Sequence, residues 1–434
     1  MIIVDTALEK REQEGKPIRV GMVGAGYMGR GIALQIQKYV KGIKLVAISN
    51  PTLSEAERAY RQAGVDIVKP VETVAQLEKI ISKGQFAITD DAMLLCEAQS
   101  IDALIEVTGT VEYAAHVTMK AIENKKNVIL MNAELDATIG PILKLYADRA
   151  GVVITTADGD QPGVIMNLYR YVKAIGCKPV LAGNMKGLQD PYRTPETQKG
   201  YAEKYKQKPQ MVTSFADGTK ISMEMAVVAN ATGLRAGKRG MYGPRCEHVN
   251  DAINLFPMDQ MLNGGLVDYI LGAGPAPGIF ILGYNENPIQ KQYMNYYKMG
   301  DGPLYVFYTP YHICHFETPL TVARAVLFKD AAATPAAGPV CDVITIAKCE
   351  LREGEILDGI GGFTCYGMLE NSGICQAENL LPMGLSEGCR LRRNIQKDQA
   401  ITYSDVELPQ DRLCDKLRAE QNEYFALSGT RSTA

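Results

Sequence analysis

Nowhere is this 434-residue chain apolar for the ~20 consecutive residues that a membrane-spanning helix requires, so no membrane partner is expected. Its opening, Met1-Ile2-Ile3-Val4-Asp5, has no basic segment followed by an apolar one, and no signal peptide is expected from it. An excess of one charge is missing too. A formal net charge of -3 lacks the basic surplus of a dedicated nucleic-acid binder. The ten cysteines form no C-x-x-C pair and keep no regular spacing, which points to reduced, buried thiols of a cytoplasmic protein. Histidine is scarce, with four in all. His312 and His315 have the H-x-x-H spacing, but no carboxylate or cysteine set accompanies them, so no metal is assigned.

What is present is an ordinary globular composition, 46% hydrophobic and 22% charged, long enough for two or three domains of ~150 residues. A short charged helix over 5–14 leads to a β-rich run at 18–23, then to glycines, then to helical spacing over 30–37. Further strands are expected at 44–49, 101–107, 127–131 and 152–155. Helices are expected at 54–62 (Ser54 as N-cap), 112–124 and 139–150. Strands alternating with helices make a doubly wound parallel α/β sheet of the Rossmann type, assigned to 1–163. An α+β substrate domain is expected over 164–330, with a helix at 164–175, a strand at 179–184 and a helix returning at 318–327. The small, proline-bearing stretch 330–339 reads as a linker. A small β-rich module over 340–410 and a charged tail over 411–434 complete the chain.

The strongest motif is Gly24-Ala25-Gly26-Tyr27-Met28-Gly29, between a predicted strand and a predicted helix. In that context Gly24 permits the tight turn, Gly26 lets a diphosphate approach the backbone, and Gly29 lets the helix pack close to the sheet. The helix N-terminus then offers N–H groups to phosphate. Ser49, Asn50 and Thr52 end the second strand, where an NAD enzyme usually carries Asp or Glu. Neutral donors there tolerate a 2′-phosphate, so NADP is the expected cofactor and NAD the alternative. A plain turn explains Asn50 and Thr52 equally well. Thr108, Gly109 and Thr110, and then Asn132 and Glu134, close the later strands at the edge where the nicotinamide half should lie.

A carbonyl reductase needs a proton donor and a group that steadies the developing alkoxide. Lys186 and Asp190 are one helical turn apart if that segment is helical, Lys186 polarising the carbonyl and Asp190 orienting it; a surface ion pair is the alternative. Glu224 and Asn230 lie among apolar residues and serve either substrate contact or a buried hydrogen bond. Arg235, Lys238 and Arg239, interleaved with Gly233, Gly237 and Gly240, suit a phosphate or carboxylate, or else a solvated loop.

The G-A-G-x-M-G turn, the Asn132-Ala133-Glu134 turn and the following α+β region resemble the homoserine dehydrogenase family. The stretch Val343-Ile344-Thr345-Ile346-Ala347-Lys348-Cys349-Glu350 resembles the opening of a SAF (β-clip) domain, and Asp398-Gln399-Ala400-Ile401-Thr402-Tyr403 its close. Together, and including Tyr311-His312-Ile313-Cys314-His315 and Gly361-Gly362-Phe363-Thr364-Cys365, they resemble the 1-deoxy-D-xylulose-5-phosphate reductoisomerase-like family. That resemblance implies an NAD(P)-dependent oxidoreductase of a small polar carbonyl or sugar-like substrate, with or without a phosphate. A semialdehyde dehydrogenase, or a non-catalytic cofactor sensor with a carbohydrate-recognising SAF module, remains open. A symmetric homo-oligomer is the default expectation.

Overall fold

The computed structural model describes residues 2–431. They divide into two compact units: residues up to Asp160 with Ile313–Thr334, and Gln161–His312 with Pro335 onward.

The first unit is built on seven parallel strands: β1 (Ile18–Val23), β2 (Ile43–Ser49), β3 (Val68–Pro70), β4 (Phe86–Thr89), β5 (Ala103–Glu106), β6 (Asn127–Leu130) and β7 (Ile154–Thr156). Their order is β3-β4-β2-β1-β5-β6-β7. Central strands read as continuous apolar runs because helices cover both faces, and β5 and β6 are buried at every position. After β1 the chain winds outward to β2 and then returns to β5 on the other side. The carboxyl ends of β1 and β5 therefore flank the topological switch point, where open α/β sheets bind ligands.

The helix expected to close the second domain packs in the first instead. Cys314–Ala323 lies on the helix Tyr27–Tyr39, and Val322, Ala323 and Ala325 are buried in the core formed by β1, β2 and β5. A side chain at Gly31 would come within 2.7 Å of the His315 ring. Just beyond this helix, the fold buries Arg324 against Asp158 and sets it 2.6 Å from Asp330.

In the second unit β8 (Lys178–Lys186), β9 (Leu266–Leu271), β10 (Gly278–Tyr284) and β11 (Leu304–Thr309) form a mixed sheet in the order β11-β10-β8-β9. Only β8 and β9 run parallel. The helix Thr219–Thr232 is buried along most of its length, Glu224 and Asn230 included, and it packs both on this sheet and on the antiparallel pair β12 (Cys341–Ala347) and β13 (Cys365–Asn371). Residues 340–410 thus share a helix with the α+β region and do not stand as a separate unit. The stretch read as a charged tail is largely a helix, Leu413–Arg431. Arg418 from it is buried against Asp342 at 2.6 Å. No helix among the described residues is long and apolar enough to cross a membrane.

Candidate cofactor cradle and polar site

Three glycines follow β1, and each does something different. Gly24 has φ +109°, and a Cβ there would meet the Val107 carbonyl at 3.0 Å, so the turn after β1 lies against the end of β5. A Cβ on Gly29 would come within 2.5 Å of the Gly24 carbonyl oxygen, which leaves no room for a side chain between helix and turn. At Gly26 nothing lies within 4 Å of that position, so its space is open to a ligand. Gly26 is also the N-cap of the helix Tyr27–Tyr39 and no side chain caps it, which leaves the first-turn N–H groups and the positive end of the helix dipole for an anion. A dinucleotide diphosphate fits this cradle.

At the end of β2, Ser49 is fully buried and contributes its carbonyl, which accepts from the Gly24 N–H at 2.8 Å. Asn50 fastens the turn: its Oδ1 accepts from the Ala25 N–H at 3.1 Å, and its Nδ2 donates to the Thr52 carbonyl at 2.9 Å. Thr52, and not Ser54, is the N-cap of the helix Leu53–Gln62, and its exposed side chain makes no cap bond. The first carboxylate in this region, Glu55, lies 3.5 Å from both Arg30 and Arg58.

At the end of β5, Thr108 is half-buried and Thr110 exposed. Asn132 is fully buried and its polar atoms are taken. Its Nδ2 donates to Glu106 and to the Thr110 carbonyl, each at 2.7 Å, and its Oδ1 caps the helix Ala133–Ala150 through the Leu135 N–H at 3.0 Å. It therefore braces two strand ends, and both of its amide N–H groups are committed to the protein. Glu134 is buried beside it. A residue that sequence reasoning missed sits beneath this loop. Glu106 is wholly buried, and desolvation pushes its carboxyl up to about 7 despite hydrogen bonds from Thr108 and Asn132 that work the other way. The available signal was an acid closing the apolar run Ala103-Leu104-Ile105.

The second unit gathers a different polar set. Lys186 ends a strand, so no helical turn joins it to Asp190. Asp190 instead accepts from Arg193 at 3.0 Å. Lys186 pairs with Glu224 at 3.1 Å, and Asn184 donates to the same carboxylate oxygen at 2.9 Å. Glu224 is buried on the helix Thr219–Thr232, whereas the Lys186 side chain keeps 17% exposure. Lys186 is thus an oriented cation at a strand end that solvent still reaches.

Two other expected contacts are structural. Asn230 Oδ1 accepts from the Val340 and Cys341 N–H groups at 2.8 and 3.0 Å, tying β12 to the helix. Arg239 is held by Glu370 at 2.8 Å and Glu378 at 2.6 Å, so its charge is already matched. Arg235 and Lys238 remain exposed. Arg235 lines a cleft of about 200 Å³ with Gln260 and Asn263, and the Lys238 ammonium lies 5.2 Å from the centre of the Tyr242 ring. Arg239→Ala is therefore expected to lower stability by roughly 1–3 kcal/mol by stranding Glu370, and to leave the KM for an anionic substrate unchanged. Arg235→Ala should do the reverse. Thermal melts beside substrate titrations of the two variants separate these effects. Among the described residues no three His, Cys, Asp or Glu side chains stand together as a metal-ligand set.

Two stretches of the chain match known families. Residues 18–130 match the family described as oxidoreductases with an NAD-binding Rossmann fold, and residues 159–318 match the catalytic domain of oxidoreductase DRL. Both domain matches are to oxidoreductases. A homoserine dehydrogenase from Methylobacillus glycogenes is 30% identical over 122 residues, 28% of this chain and 26% of that protein. Inositol 2-dehydrogenase 4 from Saccharopolyspora erythraea is 34% identical over 93 residues, 21% of this chain and 22% of that one. The chain thus spans about a quarter of the length of these curated relatives. Among solved structures, scyllo-inositol dehydrogenase from Lactobacillus casei aligns over 62% of this chain and 74% of its own, at 15% identity and a TM-score of 0.37.

Proposed function

We propose that this chain is an NADP-preferring oxidoreductase that interconverts a small polar carbonyl compound, of sugar or sugar-phosphate type, and its alcohol. The observation that carries the reading is the open space at Gly26 before an uncapped helix N-terminus, at the switch point of a parallel sheet. NADP is favoured over NAD because the β2 end presents Asn50 and Thr52, and the nearby Glu55 is matched by two arginines. The bound dinucleotide supplies or accepts the hydride. For the reacting carbonyl oxygen the candidate is Lys186, whose ammonium Glu224 and the strand end keep oriented. Arg235 and Lys238 are the cations left for an anionic group on the substrate. The reductoisomerase-like and SAF-like resemblances support a sugar-like substrate, and a homo-oligomer in the cytoplasm is part of the same reading.

The test is a titration with NADPH and with NADH, followed by nicotinamide fluorescence, on the wild type and on Gly26→Ala. Tighter binding of NADPH is expected. Gly26→Ala should weaken it by roughly tenfold or more with an unchanged melting temperature, since its methyl meets only the ligand. Failure of both dinucleotides to bind would remove the oxidoreductase reading. NADPH binding without oxidation by any sugar phosphate or semialdehyde would leave a sensor.

A further inference from the structure

Beneath the β5 loop a buried acid is connected to the surface by two hydroxyl groups. Glu106 accepts at one carboxyl oxygen from the Thr108 N–H at 2.9 Å and from the Thr108 hydroxyl; when Glu106 is protonated, its O–H is the donor to that hydroxyl. The Thr108 hydroxyl lies 2.9 Å from that of Thr110, and either can be the donor. Thr110 is exposed at the carboxyl edge of the sheet. The chain Glu106–Thr108–Thr110 therefore runs unbroken from a fully buried carboxyl to the rim of the switch point.

We propose that Glu106 stores the proton used in carbonyl reduction and passes it to the sheet edge through the hydroxyls of Thr108 and Thr110. The assignment rests on the oxidoreductase reading above. Reducing a C=O group consumes one hydride, from a reduced nicotinamide, and one proton. The Thr110 O–H proton goes to the carbonyl oxygen, Thr110 takes the proton of Thr108, and Thr108 takes that of Glu106. Glu106 ends as a carboxylate and regains a proton from water after the alcohol leaves. Glu106 acts through the two threonines and is a positioning and supply residue, not one that touches substrate.

The surroundings keep that acid protonated near neutrality. Desolvation lifts it to about 7 against the hydrogen bonds from Thr108 and Asn132, and the carboxylate of Glu134, on the helix Ala133–Ala150, adds to the rise. Tyr113, on the helix Glu112–Glu123, also senses it. The neighbouring strands present Val23 and Leu130 in register, both apolar. An acid near neutrality suits proton donation at neutral pH, since it is both populated and able to release.

Infrared spectroscopy on the protein without cofactor reads the relay directly. With glutamate 13C-labelled at the side-chain carboxyl, a protonated carboxyl band with a midpoint near pH 7 is expected, and Glu106→Gln should remove it. On transfer to D2O its shift should be complete within mixing in the wild type and roughly tenfold slower in Thr110→Val, whose exposed site spares the fold. In turnover, Glu106→Gln should abolish the decline in kcat as pH rises through 7. Absence of the band at pH 6, or equal exchange in wild type and Thr110→Val, would overturn the relay. Should Glu106→Gln not fold, the Thr110→Val comparison alone decides. Failure of NADPH to bind would defeat the oxidoreductase reading instead, because band and exchange are measured without it.

Discussion

Replacing Arg418 by methionine is expected to lower the unfolding free energy by about 3–5 kcal/mol, read as a shift of the denaturation midpoint. Arg418 and Asp342 are both nearly sealed from water, and the Ser372 hydroxyl donates to the other Asp342 oxygen at 2.9 Å. Methionine fills most of the volume but leaves the Asp342 carboxylate buried without its cation, which is where the cost arises. The double variant Arg418→Met with Asp342→Leu should recover most of the loss, because two apolar residues strand no charge. A single variant as stable as the wild type would mean that the helix Leu413–Arg431 is not held by this pair. The effect bears on function through packing: Asp342 lies on β12, and β12 packs on the helix that carries Glu224.

A second large effect is expected at Lys186. Lys186→Met should reduce kcat for carbonyl reduction by about 10²–10³, the usual loss when one group that steadies an oxyanion is removed. The NADPH dissociation constant should not change, because the cradle is built from the Gly24 turn and the end of β2. Arginine at this position keeps the charge but presents a planar fork where a point charge stood, so Lys186→Arg should regain only part of the rate. Asp190→Ala serves as the contrast. With Asp190 paired to Arg193 in a half-exposed loop, its removal should leave kcat within about twofold. A loss at Asp190 equal to that at Lys186 would restore the Lys186–Asp190 pairing and defeat the assignment to Glu224.

The glycine turn was legible because its information is local. A β-rich run, glycines at fixed offsets and a helical period fall within one stretch of chain, and each has its own steric reason. Strands β1, β2, β5, β6 and β7 were legible for the same cause, since a strand covered on both faces is a short apolar run whatever its neighbours are. Strands β3 and β4 escaped notice: Val68-Lys69-Pro70 is an edge strand, and Phe86-Ala87-Ile88-Thr89 is short and bounded by polar residues.

The polar pairings were not legible. Lys186 has a carboxylate four residues on, Asp190, which looks like its partner under a helical period. The strand geometry separates them, and the partner is Glu224, 38 residues away. Arg239 reads as a free cation until the fold brings Glu370 to it across 131 residues. Glu106 is one polar position inside the strand expected over 101–107, and only the fold closes Thr108 and Asn132 over it.

By itself the sequence determined the Rossmann unit and its glycine turn, since backbone sterics and hydrophobic period act between near neighbours. Only the tertiary structure decided which carboxylate meets which cation, which asparagines are braces, and that the helix Cys314–Ala323 belongs with the first unit. Those choices follow from burial. A charge or amide removed from water must find a partner, and which partner lies within reach is set by how distant segments pack.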